Sequence, residues 1–261
     1  MARDFLGTIF GLGGRVALIT GGARGIGLAT ARAICGAGGV AVLADRDGAE
    51  AEAAAAGLVA EGFGASAVAM DVTDAAQVAA AVAAVIARHG RLDILVSNAG
   101  NQDRRPFETF TSEGWRSIIE THVNGSFEAM KACLPYLRAS GDGRVVLMSS
   151  VTAFGVKPGT PVAAYSTAKG ALTAMCRAVA VEYGPQGVTV NAVAPGWVKT
   201  GFTKALHGDE AFEGFLAKQV PQGGWIDAEA VAAAVLYLVS PAARQVTGVV
   251  LPVDGGLLAT L

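Results

Sequence analysis

The segment VALITGGARGIGLATARAI, residues 16–34, constrains the fold of this chain more than any other stretch. A short apolar run suited to a strand buried on both faces enters a glycine-rich turn, and small and aliphatic residues of helical period follow. A strand that passes into a helix through so short a turn is the first half of a βαβ unit. A right-handed crossover then returns the chain to a parallel neighbour.

The pattern recurs along the chain. Strands are expected near Val16–Thr20, Val40–Ala44, Ala65–Met70, Ile94–Ser97, Arg144–Ser149, Thr189–Val193 and Val249–Val253, with alanine-rich helical stretches such as AEAAAAGLVA and QVAAAVAAVIARHG between most of them. The expected architecture is α/β: a Rossmann-type, doubly wound, mostly parallel seven-stranded sheet with helices on both faces, in one domain over residues 1–261. Ligands of such folds bind beyond the carboxyl ends of the strands, where the motifs below fall. Residues 195–225 are rich in glycine and proline around short amphipathic pieces, and so long a connection inside a compact domain reads as a substrate lid.

Composition narrows the function. Of the 261 residues 52% are hydrophobic and 16% charged, enough for a large core with little charged surface, and the 35 glycines allow helices to approach the sheet closely. This apolar balance predicts subunit contacts, in a homotetramer or dimer. The formal charge of −2, without a block of Lys or Arg, excludes a nucleic-acid footprint. Cys35, Cys133 and Cys176 are too scattered for a disulfide framework, and His89, His122 and His207 too scattered for a metal site, each histidine reading as a surface or loop residue. No apolar run is long enough to span a membrane, and a cytoplasmic location is expected.

In the first turn, Gly21, Gly25 and Gly27, with Arg24 and Ile26 between them, let backbone approach a pyrophosphate at the positive end of the new helix. Asp45, closing the second strand, suits the two adenosine ribose hydroxyls and repels a 2′-phosphate, which favours NAD over NADP; Arg24 and Arg46 argue the other way. Asp71 and Val72 are placed to meet adenine, with Thr73 or Asp74 as the better helix cap. Asn98, Ala99 and Gly100 are small enough to let backbone pass beside the cofactor. Tyr165 and Lys169, four apart in AAYSTAKGAL, share one helical face. A phenol that acts as a base near neutrality needs its pKa lowered by about three units, roughly 4 kcal/mol. One unit charge at about 4 Å and an effective dielectric near 20 supplies roughly that.

With TGGARGIG, DV, SNAG, YSTAK and VAPGWVKT in this order, the chain resembles the short-chain dehydrogenase/reductase family in its single-domain form, over essentially its whole length. The resemblance implies that Tyr165 is the general acid/base, that Lys169 lowers its pKa and holds the nicotinamide ribose, and that Ser150 rather than Ser149 holds the substrate oxygen. It also implies that Asn124 keeps a proton-relaying water in place. Pro195 and Gly196 would turn the chain so that Val198 and Thr200 fix the carboxamide. The loop between Ser150 and Tyr165 is longer than the family usually carries, which weakens inference about the substrate. Within the family, NQDRRPFETFTSEGW, DEAFEGFLAKQVPQGGW and DGGLLATL are most similar to gluconate 5-dehydrogenases and related sugar-acid or polyol dehydrogenases. Arg104 or Arg105 would take a carboxylate, with Gln102, Lys199 and His207 adding contacts. The alternatives are a reductase of 3-oxoacyl thioesters or other ketones, and a non-catalytic nucleotide-binding regulator.

Overall fold

The computed structural model describes residues 5–157 and 159–260. Seven strands, β1 (Val16–Thr20), β2 (Val40–Asp45), β3 (Gly64–Ala69), β4 (Ile94–Ser97), β5 (Gly143–Met148), β6 (Val188–Pro195) and β7 (Val250–Val253), form one sheet in the order β3-β2-β1-β4-β5-β6-β7. Every pairing is parallel. The helices are α1 (Phe5–Phe10), α2 (Gly25–Gly36), α3 (Gly48–Ala60), α4 (Ala75–His89), α5 (Ser112–Ile119), α6 (Gly125–Ala139), α7 (Ala163–Tyr183), α8 (Glu210–Gln219) and α9 (Ala228–Val239). None is long and apolar enough to cross a membrane.

Alternation along the strands builds two apolar layers. Leu18, Leu95 and Val145 point to one face and pack with Val78, Val82, Ala129, Cys133 and Cys176 of α4, α6 and α7. Ile19, Leu43, Ile94 and Val146 point to the other and meet Ile34, Leu58, Val231 and Val235 of α2, α3 and α9. Leu18 and Ile19 are wholly buried, and each such side chain contributes about 2 kcal/mol through removal from water.

The expected strands all form, with ends shifted by a residue or two. Two features had no counterpart in the sequence reading: helix α1, and a turn of π-helix over Glu120–Asn124 joining α5 to α6. The chain crosses from β3 to β4 past β2 and β1, so the order reverses between β1 and β4 and opens a crevice beyond their carboxyl ends.

Candidate active site

The glycine turn leaving β1 forms the floor of this crevice. Gly21 and Gly25 are left-handed, at φ 62° and 54°, and a Cβ on Gly27 would fall 2.1 Å from the Gly21 carbonyl oxygen. The cap position of α2, Arg24, gives no side-chain hydrogen bond, so the first amides of α2, at Gly25, Ile26 and Gly27, remain for an anion. Asn98 buttresses the turn: its Nδ2 donates to the carbonyls of Thr20 and Gly21 at 3.0 Å, while the Asn98 and Ala99 amides donate to Thr20 Oγ1 at 2.9 Å.

At the far end of the crevice Asp45 closes β2, half-buried. Arg24 pairs with Glu50 at 3.3 Å, and Arg46 is exposed. Asp71 Oδ1 accepts from the amide and hydroxyl of Thr73, Val72 is buried, and Asp74 caps α4 by accepting from the Ala76 and Gln77 amides. A cradle that any side chain would fill, an uncapped helix start and a terminal carboxylate fit a dinucleotide.

Tyr165 and Lys169 do share a face of α7, with Lys169 Nζ 5.3 Å from the phenol ring centroid. Lys169 is only 3% exposed and donates to the Met148 carbonyl. The electrostatics differ from expectation. Burial pushes the Tyr165 phenol up to about 12, opposed by a hydrogen bond with Ser150 and the charge of Arg104, while burial brings Lys169 down to about 7. A partly neutral lysine exerts little pull, so without cofactor the phenol is not yet a base. Ser149 donates to the Lys169 carbonyl at 3.1 Å and meets Thr173 Oγ1 at 3.2 Å, which leaves Ser150 as the serine on Tyr165.

Asn124 is not in this cluster. It is exposed, whereas His122, expected at the surface, is 2% exposed and sets its ring edge-on to Tyr165 with centroids 5.4 Å apart. Residues two apart point to nearly opposite sides of a helix, so only one of the pair can face α7. His122 also grips the loop after β4, where a Cβ on Gly100 would lie 2.5 Å from its Cε1.

The outer wall comes from the β4 loop and residues 195–225. Gln102 donates to the Phe202 carbonyl and accepts from Arg104 Nε at 2.9 Å. Arg104 is half-buried with its guanidinium 5.6 Å from the Trp197 ring, close enough to act on Tyr165. Arg105 instead pairs with Asp103 and covers Phe110. Phe202 lies 6.1 Å from Tyr165 between ring centroids. Pro195 ends β6, Gly196 abuts Asp254 and buried Val198 bridges to Ile226, while Thr200 reaches back to Gly25. Backbone bonds from Lys199 to Ile226 and from Ile226 to Trp197, both 2.9 Å, clamp the two ends of this segment together. The side chain of Lys199 is exposed, and His207 bonds Thr203 and packs on Trp225 within the segment, so neither joins the cluster at Tyr165. A cavity of about 360 Å³, lined by Val151, Thr152, Lys157, Trp197, Phe215 and Leu257 among others, extends under it.

A dinucleotide cradle at the switch point of a doubly wound sheet, with a hydroxyl-bearing pair of side chains beside it, defines a nicotinamide-dependent oxidoreductase acting on CH–OH groups. The chain belongs to the short-chain dehydrogenase/reductase family, and the family model described as Enoyl-(Acyl carrier protein) reductase matches residues 21–258. It is 37% identical to gluconate 5-dehydrogenase of Gluconobacter oxydans over 97% of this chain and 98% of that protein. It is 38% identical to cis-4-hydroxycyclohexanecarboxylate dehydrogenase of Sinomonas cyclohexanicum, over 94% and 97% of the two chains. The crystal structure of a gluconate 5-dehydrogenase from Burkholderia cenocepacia in complex with NADP and tartrate superposes with a TM-score of 0.94, at 35% identity, covering 98% of this chain and 99% of that one.

Proposed function

We propose that the protein interconverts a secondary alcohol and a ketone on a hydroxy acid of the sugar-acid or polyol-acid class, with NAD(H) as the favoured cofactor. The observation that carries this reading is the convergence of Ser150 and Arg104 on the phenol of Tyr165. Ser150 orients the substrate oxygen, and Tyr165 exchanges its proton. Bound in the cradle, the dinucleotide supplies the hydride acceptor and a positive ring. Lys169, which can take up a proton near pH 7, contributes the charge that lowers the phenol pKa when it does so. Val198 and Thr200, beside the glycine turn, orient the cofactor's carboxamide.

Arg104 is the carboxylate anchor. Its Nε is engaged by Gln102, its charge acts on Tyr165, and it has no acidic partner among the described residues. Gluconate, 4-hydroxycyclohexanecarboxylate and tartrate, which occur in the names of the related proteins, all join a hydroxyl to a carboxylate, in support of this assignment. Asp45 supports NAD, since a carboxylate closing β2 suits the ribose hydroxyls and repels a 2′-phosphate, and Arg24 is paired with Glu50. The Burkholderia enzyme holds NADP, which makes cofactor preference part of the test.

Residues 195–225 act as the lid over this cleft. Exposed Phe127, Val181 and Val249 support a homo-oligomer, dimer or tetramer, and the three free, buried cysteines support a reducing cytoplasmic setting.

Initial rates of NAD⁺ and NADP⁺ reduction across gluconate, other sugar acids, hydroxycycloalkane carboxylates, neutral polyols and simple secondary alcohols test the reading. Selective turnover of hydroxy acids with NAD⁺ is expected. Equal turnover of neutral alcohols removes the carboxylate assignment.

A further inference from the structure

The cavity beneath residues 195–225 belongs to a third apolar cluster, apart from the two layers on the sheet, in which half-buried Trp197 and Phe215 pack against buried Val151 and Leu257. At about 360 Å³ it has the size of a small-molecule pocket, and Val156 adds to its apolar wall. It flanks the catalytic centre. Val151 follows Ser150, whose Oγ accepts from the Thr152 amide at 3.2 Å, and the Arg104 guanidinium lies 5.6 Å from the Trp197 ring. Ser150 and Arg104 are the two groups that act on the Tyr165 phenol. The loop from Ser150 to Tyr165, whose extra length left the substrate open in the sequence, supplies one side of this cavity.

A molecule in the cavity would find few hydrogen-bonding partners. No carboxylate lines it among the described residues. Thr152 Oγ1 is closed off from solvent, and so from anything the cavity holds. Lys157 Nζ lies 3.9 Å from the Phe215 ring centroid and 5.6 Å from that of Phe212, which commits its charge to the aromatic faces of α8 while its stem covers the wall. Thr160 and the exposed Gln219 are left as polar contacts. A hydroxyl taken out of water without a partner is costly, and two such contacts cannot serve a molecule that bears a hydroxyl on every carbon. Val156 is a large apolar residue left exposed on this wall, and an apolar ligand would cover it.

We propose that this cavity receives a hydroxyl-free part of the substrate, a carbocycle or a run of deoxygenated carbons, so that the preferred substrate is a hydroxy acid with an apolar segment rather than a fully hydroxylated one. The proposal rests on the reading of the protein as a hydroxy-acid oxidoreductase and narrows it. Ser150 and Tyr165 take the reacting hydroxyl and Arg104 the carboxylate, while Val151, Val156, Trp197, Phe215 and Leu257 take the apolar carbons.

The test compares 4-hydroxycyclohexanecarboxylate with 3,4,5-trihydroxycyclohexanecarboxylate, two acids of one skeleton that differ in hydroxyls. Binding is read first by calorimetry on the protein with NADH bound, a form that cannot oxidise either acid. The monohydroxy acid should bind roughly 10- to 100-fold more tightly. Its binding should carry the larger negative heat-capacity change, the mark of apolar burial. With NAD⁺ the ratio of kcat/KM for the two acids should lie in the same range. Val156→Asn and Phe215→Asn each set an amide into the wall, and because Val156 is exposed its exchange leaves the sheet layers untouched. Each variant should lower the binding ratio by about tenfold. Equal affinity for the two acids, or a ratio unchanged in both variants, overturns the proposal. Absence of turnover on every alcohol, with the binding preference and its response to the variants intact, would instead sink the oxidoreductase reading and leave the cavity's assignment standing.

Discussion

Replacing Arg104 by Met removes the guanidinium while a flexible apolar side chain still covers Trp197, so the substitution isolates the charge. With Nε held by Gln102, two terminal nitrogens remain for a substrate carboxylate. Hydrogen bonds to charged groups are worth about 1.5–3 kcal/mol each. Because Arg104 is only half-buried, solvent screening takes the lower end, about 3 kcal/mol for the pair, which is roughly 100-fold. The assay compares kcat/KM for a hydroxy acid and for its neutral amide. Arg104 also restrains the Tyr165 phenol, so both substrates should show the rise of rate moved to higher pH, and the comparison belongs on the plateau. The acid should fall roughly 100-fold and the amide within about threefold. An equal fall for both, or less than about fivefold for the acid, refutes the anchor.

Tyr165→Phe should bind NADH normally and lose at least about 10³-fold in turnover; survival of near-wild-type rates would remove the proton-transfer assignment. Asp45→Ala should narrow the ratio of kcat/KM for NAD over NADP, and an unchanged ratio would separate Asp45 from the ribose. The fold refuses a proton on His122 that the unfolded chain accepts below about pH 6.5, so stability is full above that pH. It should fall by about 2 kcal/mol between pH 6.5 and 5, before the carboxylates titrate. Urea midpoints at pH 7 and 5 should therefore converge in His122→Asn, and an undiminished drop would place the acid sensitivity elsewhere. Amide exchange between Gly201 and Gln219 should slow when cofactor and substrate are both bound, whereas equal exchange in both states would count against a lid.

The parallel sheet was legible because its strands are apolar runs punctuated by glycine, and the cradle because the close approach of Gly27 to Gly21 admits no side chain. The interior of the site was less so. The run ETHVNGS carries an unbroken helical signal, and nothing local announces the π-turn, whose register depends on Gly125 seating against Val72, where a Cβ would come within 2.8 Å. That register turns His122 inward and Asn124 out, where the resemblance implied a site role for Asn124 and the scattered histidines read as surface or loop residues. Arg104 and Arg105 are adjacent and chemically identical; only the salt bridge to Asp103 and the stacking on Trp197 tell them apart. The pull of Lys169 on Tyr165 was reckoned as though the lysine kept its charge, but burial that deep weakens the charge itself.

The paired backbone at Trp197, Lys199 and Ile226 gives the wall of the cleft a property of its own. A loop whose two ends are already tied to each other transmits little of its internal variation to the sheet, because the closure entropy changes slowly with length and no strand register depends on it. Residues 201–225 are therefore a replaceable cartridge: exchanged as a unit for another sequence of different length, they would change which molecules are admitted to Tyr165 while Thr200, outside the exchanged segment, still meets Gly25 at the rim.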